Sequence, residues 1–386
     1  MKIIYLINSL KNPGGMERVL INKANYFSEK FNYEIFIITT DQNNMDNFYK
    51  LNKEIKCIDL KINYYEDFRK NIMKRIRPFL YKQKKHKLLL EKQILKIKPD
   101  FVVSLGCEDT YFLPKLKDKS LKIREFHFGK NFRREYVKSF NKGLIYKIKA
   151  NIDTLREELL IKKYDKVILL TKEDLKNWKN RLNMKVIPNS ISNIPFKVSS
   201  CENKKIISVG RLDGQKGYDR LVEVWKIIKT KDIANEWVLE IYGEGIDKNI
   251  IEKKIKNYDL QNSLFLKGTT NKIEEKYQES SIYVMTSRYE GFGMVLVEAM
   301  AFGIPPISFD CFSGPSDIIK NNVDGYLIEN GNIERMAEKI CYLIENEMIR
   351  KQLGMNARKN IERFSNEIVM NRWKKLFEKS LEVKNV

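Results

Sequence analysis

Two glutamates, Glu290 and Glu298, stand eight positions apart in a segment whose residue types and spacing could do chemistry. Glu290 lies in a glycine-broken turn at residues 289–293, and Glu298 lies in the apolar run that follows. Such a turn exposes backbone N–H groups at the start of a helix, where they bind an anion or a cluster of hydroxyls. An ionised carboxylate only accepts hydrogen bonds, so hydroxyl groups are its natural partners. Because eight residues span a little over two helical turns, one loop and its helix could hold both ends of a polyol ligand.

The flanking sequence decides how much weight this spacing carries, because glutamates eight apart also arise by chance. Residues 282–286 are apolar and predict a buried strand before the turn. Gly303 and Pro305 predict the end of the helix after it. The resulting order of strand, glycine turn and helix is the layout of nucleotide sites in doubly wound sheets.

A second segment, residues 208–217, places two cations on a glycine-containing loop between a predicted strand and a predicted helix. The glycines let the backbone approach a ligand closely. Arg211 offers a planar fork of donors and Lys216 a point charge, and together they could neutralise a diphosphate. The alternative interpretation of the same residues is a solvated basic loop.

These segments, with Pro-Gly-Gly-Met-Glu-Arg at residues 13–18 and Ser-Gly-Pro-Ser-Asp at residues 313–317, resemble the retaining GT-B glycosyltransferases of family four. The resemblance runs over essentially the whole chain. It is strongest from about residue 204 to residue 330 and weakest from about residue 45 to residue 100. The combination is more specific than any one of the motifs.

The resemblance implies an α/β chain of the GT-B class, in which two facing Rossmann-like domains with parallel sheets enclose an interdomain cleft. Strands separated by helical patterns throughout the chain agree with parallel sheets and right-handed crossovers. We expect residues 1–190 to form an acceptor-binding domain, residues 191–203 a linker, and residues 204–368 a nucleotide-sugar-binding domain. A C-terminal helix in residues 369–386 is expected to cross back onto the first domain.

The resemblance also implies roles for individual residues. Glu290 and the backbone of Gly291, Phe292, Gly293 and Met294 would hold the donor sugar, and Glu298 would accept hydrogen bonds from the ribose hydroxyls. Arg211 and Lys216 would stabilise the departing nucleoside diphosphate in place of a metal ion. Gly14 and Gly15 would direct backbone N–H groups at the diphosphate or the acceptor. His127 would contact the donor sugar from the opposite domain, although a packed or surface histidine is the ordinary alternative.

No Asp-x-Asp triplet occurs in the chain, which agrees with a metal-free mechanism. We therefore expect no metal and no cofactor, with a UDP-sugar as the donor substrate. Residues 285–294 and 313–317 favour galactose, N-acetylgalactosamine or glucose as the sugar, since they resemble segments of bacterial surface-polysaccharide transferases.

Positive charge is concentrated in the first half of the chain. Residues 1–190 hold 42 Lys and Arg against 22 Asp and Glu, a net charge of +20, whereas the remaining residues have a net charge of +2. A basic half can face nucleic acid, an anionic membrane or a phosphate-bearing substrate. The alternative is that codon bias in an AT-rich genome inflates the lysine content, but such a bias does not explain the asymmetry.

Residues 61–98 carry a net charge of +10, with apolar residues recurring every three to four positions. This pattern predicts a basic amphipathic helix that is interrupted near Pro78 and followed by a second helix at residues 81–97, with His86 solvated. An ordinary helical pair with its apolar stripe in the core is the alternative to a membrane-facing element.

The five cysteines have no C-x-x-C spacing, which predicts reduced and mostly packed thiols. No apolar run reaches the roughly 18 residues that are needed to span a bilayer. The apolar stretch at the N-terminus is too short and too much like a strand to be a signal peptide. We expect a cytoplasmic protein, peripheral on the inner face of the cell membrane.

The sequence thus predicts a retaining transferase that moves a hexosyl unit from a UDP-sugar to a hydroxyl of a lipid-linked, lipopolysaccharide or capsular glycan. The expected partners are the nucleotide sugar, the glycan acceptor and the anionic inner-membrane surface, without nucleic acid. Three alternatives stay open: a non-catalytic nucleotide-sugar-binding protein, a basic membrane- or nucleic-acid-binding protein, and a sugar-nucleotide epimerase on the same fold. A nucleic-acid-binding protein would explain the charge but not the glutamate pair.

Overall fold

The computed structural model describes residues 1–68, 72–179 and 182–384. Within them the chain forms two sheets of parallel strands with helices packed against them, which confirms the predicted α/β class. The strands of the first sheet are β1 (Lys2–Ile7), β2 (Glu34–Thr39), β3 (Lys56–Asp59), β4 (Phe101–Ser104), β5 (Leu121–Glu125), β6 (Lys166–Leu169) and β7 (Met184–Val186). Its helices are α1 (Gly15–Phe31), α2 (Tyr65–Phe68), α3 (Ile72–Ile97), α4 (Phe132–Ser139), α5 (Leu144–Ile161) and α6 (Lys172–Asn177).

The second sheet comprises β8 (Lys205–Val209), β9 (Val238–Tyr242), β10 (Leu264–Gly268), β11 (Ile282–Met285), β12 (Pro306–Asp310) and β13 (Tyr326–Glu329). Its helices are α7 (Tyr218–Lys229), α8 (Lys248–Asn257), α9 (Ile273–Gln278), α10 (Met294–Ala301), α11 (Pro315–Ile318), α12 (Ile333–Glu345) and α13 (Glu347–Asn360), and the chain ends in α14 (Asn366–Lys384). Short 3₁₀ turns lie at Glu108–Tyr111, Leu113–Lys115, Asp232–Ala234 and Ile361–Phe364.

Strand order places a topological switch in each sheet. The first sheet runs β3-β2-β1-β4-β5-β6-β7 and the second β10-β9-β8-β11-β12-β13, so strand order reverses beside β1 and beside β8. In open parallel sheets a crevice forms outside the carboxyl ends of the strands at such a point, and ligands bind there. The loops after β1 and β8 carry the glycine-containing segments at residues 13–18 and 208–217.

The central strands are apolar on both faces because helices cover both sides of each sheet. One side of the first sheet also takes in the C-terminal helix α14. Its residues Val369, Met370, Trp373 and Phe377 are buried with β1, β2, β4 and α1. The chain therefore begins and ends in the same hydrophobic core.

The two halves contact each other through α6 and the segment before α11. The backbone N–H groups of Lys172 and Glu173 donate to the carboxylate of Asp317 at 3.0 and 2.9 Å. The N–H of Ser313 donates to Glu173 Oε2 at 3.0 Å, and the hydroxyl of Thr171 lies 3.0 Å from that of Ser313. A carboxylate from the second half thus accepts from the exposed N–H groups at the start of a helix in the first half.

Two expectations for residues 61–98 are wrong. Pro78 does not interrupt a helix, because it lies inside α3, which is continuous from Ile72 to Ile97; residues 69–71 lie outside the described part of the chain. His86 is buried rather than solvated, with its Nδ1 atom 3.2 Å from the hydroxyl of Tyr64 and its ring edge-on to Phe112. Burial lowers the pKa of His86 to about 4, so the neutral imidazole acts as a core aromatic group.

Four of the five cysteines are buried free thiols, and Cys57 is exposed. Within the described residues, no helix is both long enough and apolar enough to cross a bilayer.

Candidate active site

The turn between β11 and α10 places Glu290 at the carboxyl edge of the second sheet. Gly293, the residue before the first turn of α10, has a φ of 100°, a left-handed conformation that favours glycine. Glu290 is buried, and its Oε1 atom accepts from Lys216 Nζ at 2.7 Å and from Ser287 Oγ at 2.6 Å. The N–H of Glu290 donates to the carbonyl of Phe312 at 3.0 Å. The carboxylate is therefore held by Lys216 and by Ser287, and the backbone of Glu290 is held by Phe312.

The loop at residues 210–217 and the first turn of α7 are both fastened to residues 288–290. Besides the Lys216 contact, Arg288 donates to both carboxylate oxygens of Asp219 at 2.8 and 2.6 Å. The side-chain amide of Gln215 donates to the carbonyl of Tyr289 at 3.2 Å. Because these contacts fix the backbone on both sides of it, the Lys216 ammonium is positioned before any ligand arrives.

Arg211 does not join the Lys216–Glu290 pair. Its side chain is 71% exposed and its Nη2 atom lies 3.3 Å from Asp213 Oδ2, whereas the side chains of Lys216 and Glu290 are only 15% and 7% exposed. The structure therefore offers one fixed cation inside the cleft and one solvent-exposed cation at the rim of the loop.

Glu298 lies on α10 and forms an ion pair with Arg18 of α1, so this contact joins the two halves of the chain. Its other oxygen, Oε2, accepts from the hydroxyl of Tyr277 at 3.4 Å. The Glu298 charge raises the pKa of Arg18, and burial raises the pKa of Tyr277 well above its ordinary value. Sequence reasoning missed Arg18, although it lies in the segment at residues 13–18 from which only the glycines were selected.

Gly14 and Gly15 lie where β1 passes into α1. Gly15 is the first residue of the helix, and Gly14 precedes it with an extended backbone at a φ of −77°. A Cβ atom on Gly14 would overlap the carboxylate of Glu17, whereas Gly15 faces open space. The N-terminus of α1 is therefore accessible at Gly15 and partly covered by an acidic side chain at Gly14.

His127 follows β5, and its backbone touches the turn that carries Glu290. A Cβ atom on Gly291 would overlap the carbonyl oxygen of His127, so only glycine allows this approach between the two halves. The His127 side chain is 6% exposed, and its Nε2 atom has no hydrogen-bond partner among the described residues. Burial lowers the pKa of His127 to about 4, which makes a neutral imidazole the stable form in the folded protein.

A buried ion pair lies directly behind His127. Lys23 Nζ is 2.5 Å from both carboxylate oxygens of Glu125, and both side chains are 2% exposed. Glu125 Oε1 is also 3.6 Å from His127 Nε2, and the ring of Trp373 lies 4.2 Å from the Lys23 ammonium. The Lys23 charge therefore opposes the Glu125 charge at the imidazole, and helix α14 covers this arrangement. A lysine on the core-facing side of α1 is the signal in the sequence for this pair.

The described residues contain no group of three or more His, Cys, Asp or Glu side chains arranged to hold a metal ion. What the cleft does bring together is a cation and a carboxylate at the Glu290 turn, a second carboxylate at Glu298, and the backbone of His127 against the Glu290 turn from the other half. Carboxylates that accept from hydroxyls and cations that accept negative charge suit a ligand that is both polyol and anion.

Residues 191–360 match the family described as "Glycosyl transferases group 1". An uncharacterised glycosyltransferase of Haemophilus influenzae is 28% identical over 378 residues, which cover 97% of this chain and 99% of that protein. The GalNAc-alpha-(1->4)-GalNAc-alpha-(1->3)-diNAcBac-PP-undecaprenol alpha-1,4-N-acetyl-D-galactosaminyltransferase of Campylobacter jejuni is 24% identical, covering 100% of this chain and 99% of that protein.

The fold is shared with solved structures of the GT-B class. TarM of S. aureus, crystallised with fondaparinux, alpha-GlcNAc-glycerol and UDP, superimposes with a TM-score of 0.75. That likeness covers 97% of this chain and 99% of the TarM chain at 22% sequence identity. The expected GT-B architecture is thereby confirmed.

Proposed function

We propose that this chain, a glycosyltransferase whose residues 191–360 match the glycosyl transferases group 1 family, transfers a hexosyl unit from a UDP-sugar. The acceptor in this proposal is a hydroxyl of a lipid-linked, lipopolysaccharide or capsular glycan, and the sugar is galactose, N-acetylgalactosamine or glucose. The relative that acts on a PP-undecaprenol-linked glycan supports this acceptor class, and the shared fold of a UDP complex supports the nucleotide.

The observation that carries the proposal is the Lys216–Glu290 ion pair at the start of α10. In the resting enzyme Glu290 neutralises Lys216. When the donor binds, the sugar hydroxyls hydrogen-bond to Glu290, and the diphosphate takes over the Lys216 ammonium. The exposed Arg211 side chain then turns in from the rim and adds a second cation.

Catalysis in this proposal is mainly stabilisation of the leaving diphosphate by Lys216 and Arg211, together with positioning of the acceptor hydroxyl. The sugar keeps its anomeric configuration because the acceptor attacks from the side that the diphosphate leaves, and the leaving phosphate takes the proton of the attacking hydroxyl. No metal ion takes part, since the two side chains supply the positive charge. His127, held neutral, contacts the sugar from the first half of the chain.

Glu298 accepts hydrogen bonds from the ribose hydroxyls in this scheme. Arg18 contacts one of its oxygens, so the ribose must share or displace that guanidinium. The contact between Arg18 and Glu298 therefore links donor binding to the relative position of the two halves.

The first test is thermal unfolding with UDP, GDP, ADP and CMP, each with and without magnesium. A nucleotide at about 100 times its dissociation constant stabilises the folded protein by about 2.7 kcal/mol, which such an experiment resolves easily. We expect a shift with UDP that does not depend on magnesium, followed by release of UDP from one of the three UDP-sugars when an acceptor is added. A shift with GDP alone would refute the donor assignment, and no shift with any nucleotide would refute the site.

A further inference from the structure

Helix α5 carries an apolar stripe that faces solvent. Its large apolar side chains recur at intervals of three and four residues, as on one face of a helix. This α5 stripe consists of Ile145, Ile148, Ile152, Leu155 and Leu159, whose side chains are 81%, 50%, 44%, 54% and 63% exposed. Leu144 and Tyr146 at the start of the helix are exposed as well. A contiguous apolar patch that is exposed to solvent indicates an interaction site.

The opposite face of α5 is fixed to the first sheet, so the stripe is not a misplaced core face. Ala150, Thr154, Glu157 and Ile161 are buried. Glu157 accepts from Arg133 at 2.6 Å and lies 3.5 Å from Arg124, which ties the helix to α4 and β5. The helix therefore presents the stripe outward from a rigid support.

The charge around the stripe has one sign. Between residues 131 and 163 the exposed charged side chains are all cationic: Arg134, Lys138, Lys147, Lys149, Arg156, Lys162 and Lys163. The acidic residues of this stretch are half-buried or buried, and Glu157 and Glu158 are already paired with Arg133 and Lys130. An apolar stripe flanked by Lys and Arg is the pattern that binds the surface of an anionic bilayer.

A basic groove of about 380 Å³ lies between α4 and α5 at the start of the stripe, and Arg134, Lys138 and Lys147 line it. Where α4 ends, next to this groove, a Cβ atom on Gly214 would lie 2.6 Å from the ring of Phe140. Gly214 belongs to the loop that carries Arg211 and Lys216. The surface formed by α4 and α5 thus continues to the rim of the cleft.

We infer that the α5 stripe and the adjacent basic groove are the surface that docks this enzyme on an anionic phospholipid bilayer. The apolar side chains enter the interface between headgroups and acyl chains, and the groove receives lipid phosphates. The inference rests on the proposed function only in placing a lipid-linked acceptor next to the cleft. It assigns to α5 a role that the sequence analysis gave to residues 61–98.

Helix α3 lies on the same side of the first sheet and also exposes apolar side chains, namely Ile76, Leu80, Tyr81, Leu88 and Leu95. From Tyr81 onward these residues are seven positions apart, so they form a thinner line than the α5 stripe. The alternative partner for the α5 stripe is a second copy of the chain. Two copies packed through α5 would bring like charges together along its whole length, which disfavours that arrangement.

The test is co-sedimentation of the full chain with phosphatidylcholine vesicles that contain or lack phosphatidylglycerol. The stripe variant is Ile145→Asn/Ile152→Asn/Leu155→Asn. Its control is Ile246→Asn/Met348→Asn, which replaces apolar side chains of the second half that are at least as exposed. A charge variant, Lys147→Glu/Lys149→Glu/Arg156→Glu, is matched by Lys253→Glu/Lys256→Glu/Lys359→Glu, all exposed lysines of the second half. Binding of UDP is measured on every variant.

We expect both α5 variants to bind phosphatidylglycerol vesicles at least about tenfold more weakly than the unmodified chain, with the control variants unchanged. The unmodified chain should bind less as salt is added. Wild-type vesicle binding by the stripe variant, or loss of binding only in a Leu88→Asn/Leu95→Asn variant of α3, would overturn the inference. So would a dimer in solution that the stripe variant converts to a monomer. Retained UDP binding in all variants separates this outcome from a failure of the proposed function.

Discussion

Lys216 Nζ lies 2.7 Å from Glu290 Oε1, and this pair joins the two loops that border the candidate donor site. Each residue follows a different strand of the second sheet, β8 for Lys216 and β11 for Glu290, and these strands are neighbours. Adjacent parallel strands bring their carboxyl-terminal loops to one edge, which is why residues far apart in sequence meet here.

Glu290→Gln and Lys216→Ala are expected to have different effects. The amide of the first variant keeps the shape of the side chain and its contact with Ser287 but loses the charge that orients the sugar hydroxyls, so transfer should fall by about 100-fold or more while UDP still binds. Lys216→Ala should weaken both transfer and UDP binding, because in the proposed complex the ammonium contacts the diphosphate. Initial rates and calorimetric UDP titration measure the two effects. Lys253→Ala, on the exposed face of α8, is the control. Near-wild-type transfer in either site variant would refute the assignment of Glu290 and Lys216 to the donor site.

Arg18→Ala is expected to strengthen UDP binding. The Arg18 and Glu298 side chains are 37% and 16% exposed, so solvent screens their ion pair and its contribution is about 1 kcal/mol. Removing the guanidinium frees the carboxylate for the ribose hydroxyls, which corresponds to about a fivefold gain in affinity. Calorimetric titration with UDP measures it. Weaker binding in the variant would show instead that Arg18 contacts the nucleotide itself, and Lys30→Ala on the same helix controls for loss of positive charge.

Lys23→Met should destabilise the fold strongly, because it leaves the Glu125 carboxylate buried without its partner. Breaking such a pair costs about 3–5 kcal/mol, whereas replacing both members with uncharged residues of similar volume is often nearly neutral. We therefore expect Lys23→Met/Glu125→Gln to recover most of the free energy of unfolding in urea. The single variant should also raise the pKa of His127, measured by NMR, since the Glu125 charge would no longer be opposed. An unchanged imidazole pKa would disprove that coupling.

Glu108→Gln should stabilise the protein at pH 8 and leave it nearly unchanged at pH 4.5. Burial, with the nearby charges of Asp109 and Asp41, raises the pKa of Glu108 from 4.5 to about 7. The folded state thus holds this proton more tightly than the unfolded state, so stability falls as pH rises from about 4.5 to 7 and then stays level. The loss is up to about 3 kcal/mol. Urea unfolding at the two pH values measures it, with Glu252→Gln on the exposed side of α8 as the control. Equal effects at both pH values would exclude titration as the cause.

The sequence by itself determined the class of fold and the local shape of the donor-site loops. The alternation of apolar strands with helical patterns predicted parallel sheets, and β11 (Ile282–Met285) lies within the strand predicted at residues 282–286. The turn before α10 was readable because its glycines and the flanking strand and helix signals are local. The GT-B assignment followed from combining four such segments.

The tertiary structure decided which distant side chains meet. Arg18 and Glu298 are 280 residues apart, and Lys23 and Glu125 are 102 apart, so no periodicity or spacing in the sequence could pair them. Local rules also misjudged Pro78 and His86, because packing against the first sheet keeps α3 continuous and buries the imidazole between aromatic rings. The exposure of the α5 stripe was equally hidden, since an apolar helix face reads the same whether it packs on a sheet or faces solvent. The periodicity of apolar residues identifies the apolar face of a helix, whereas only the folded structure shows what packs against that face.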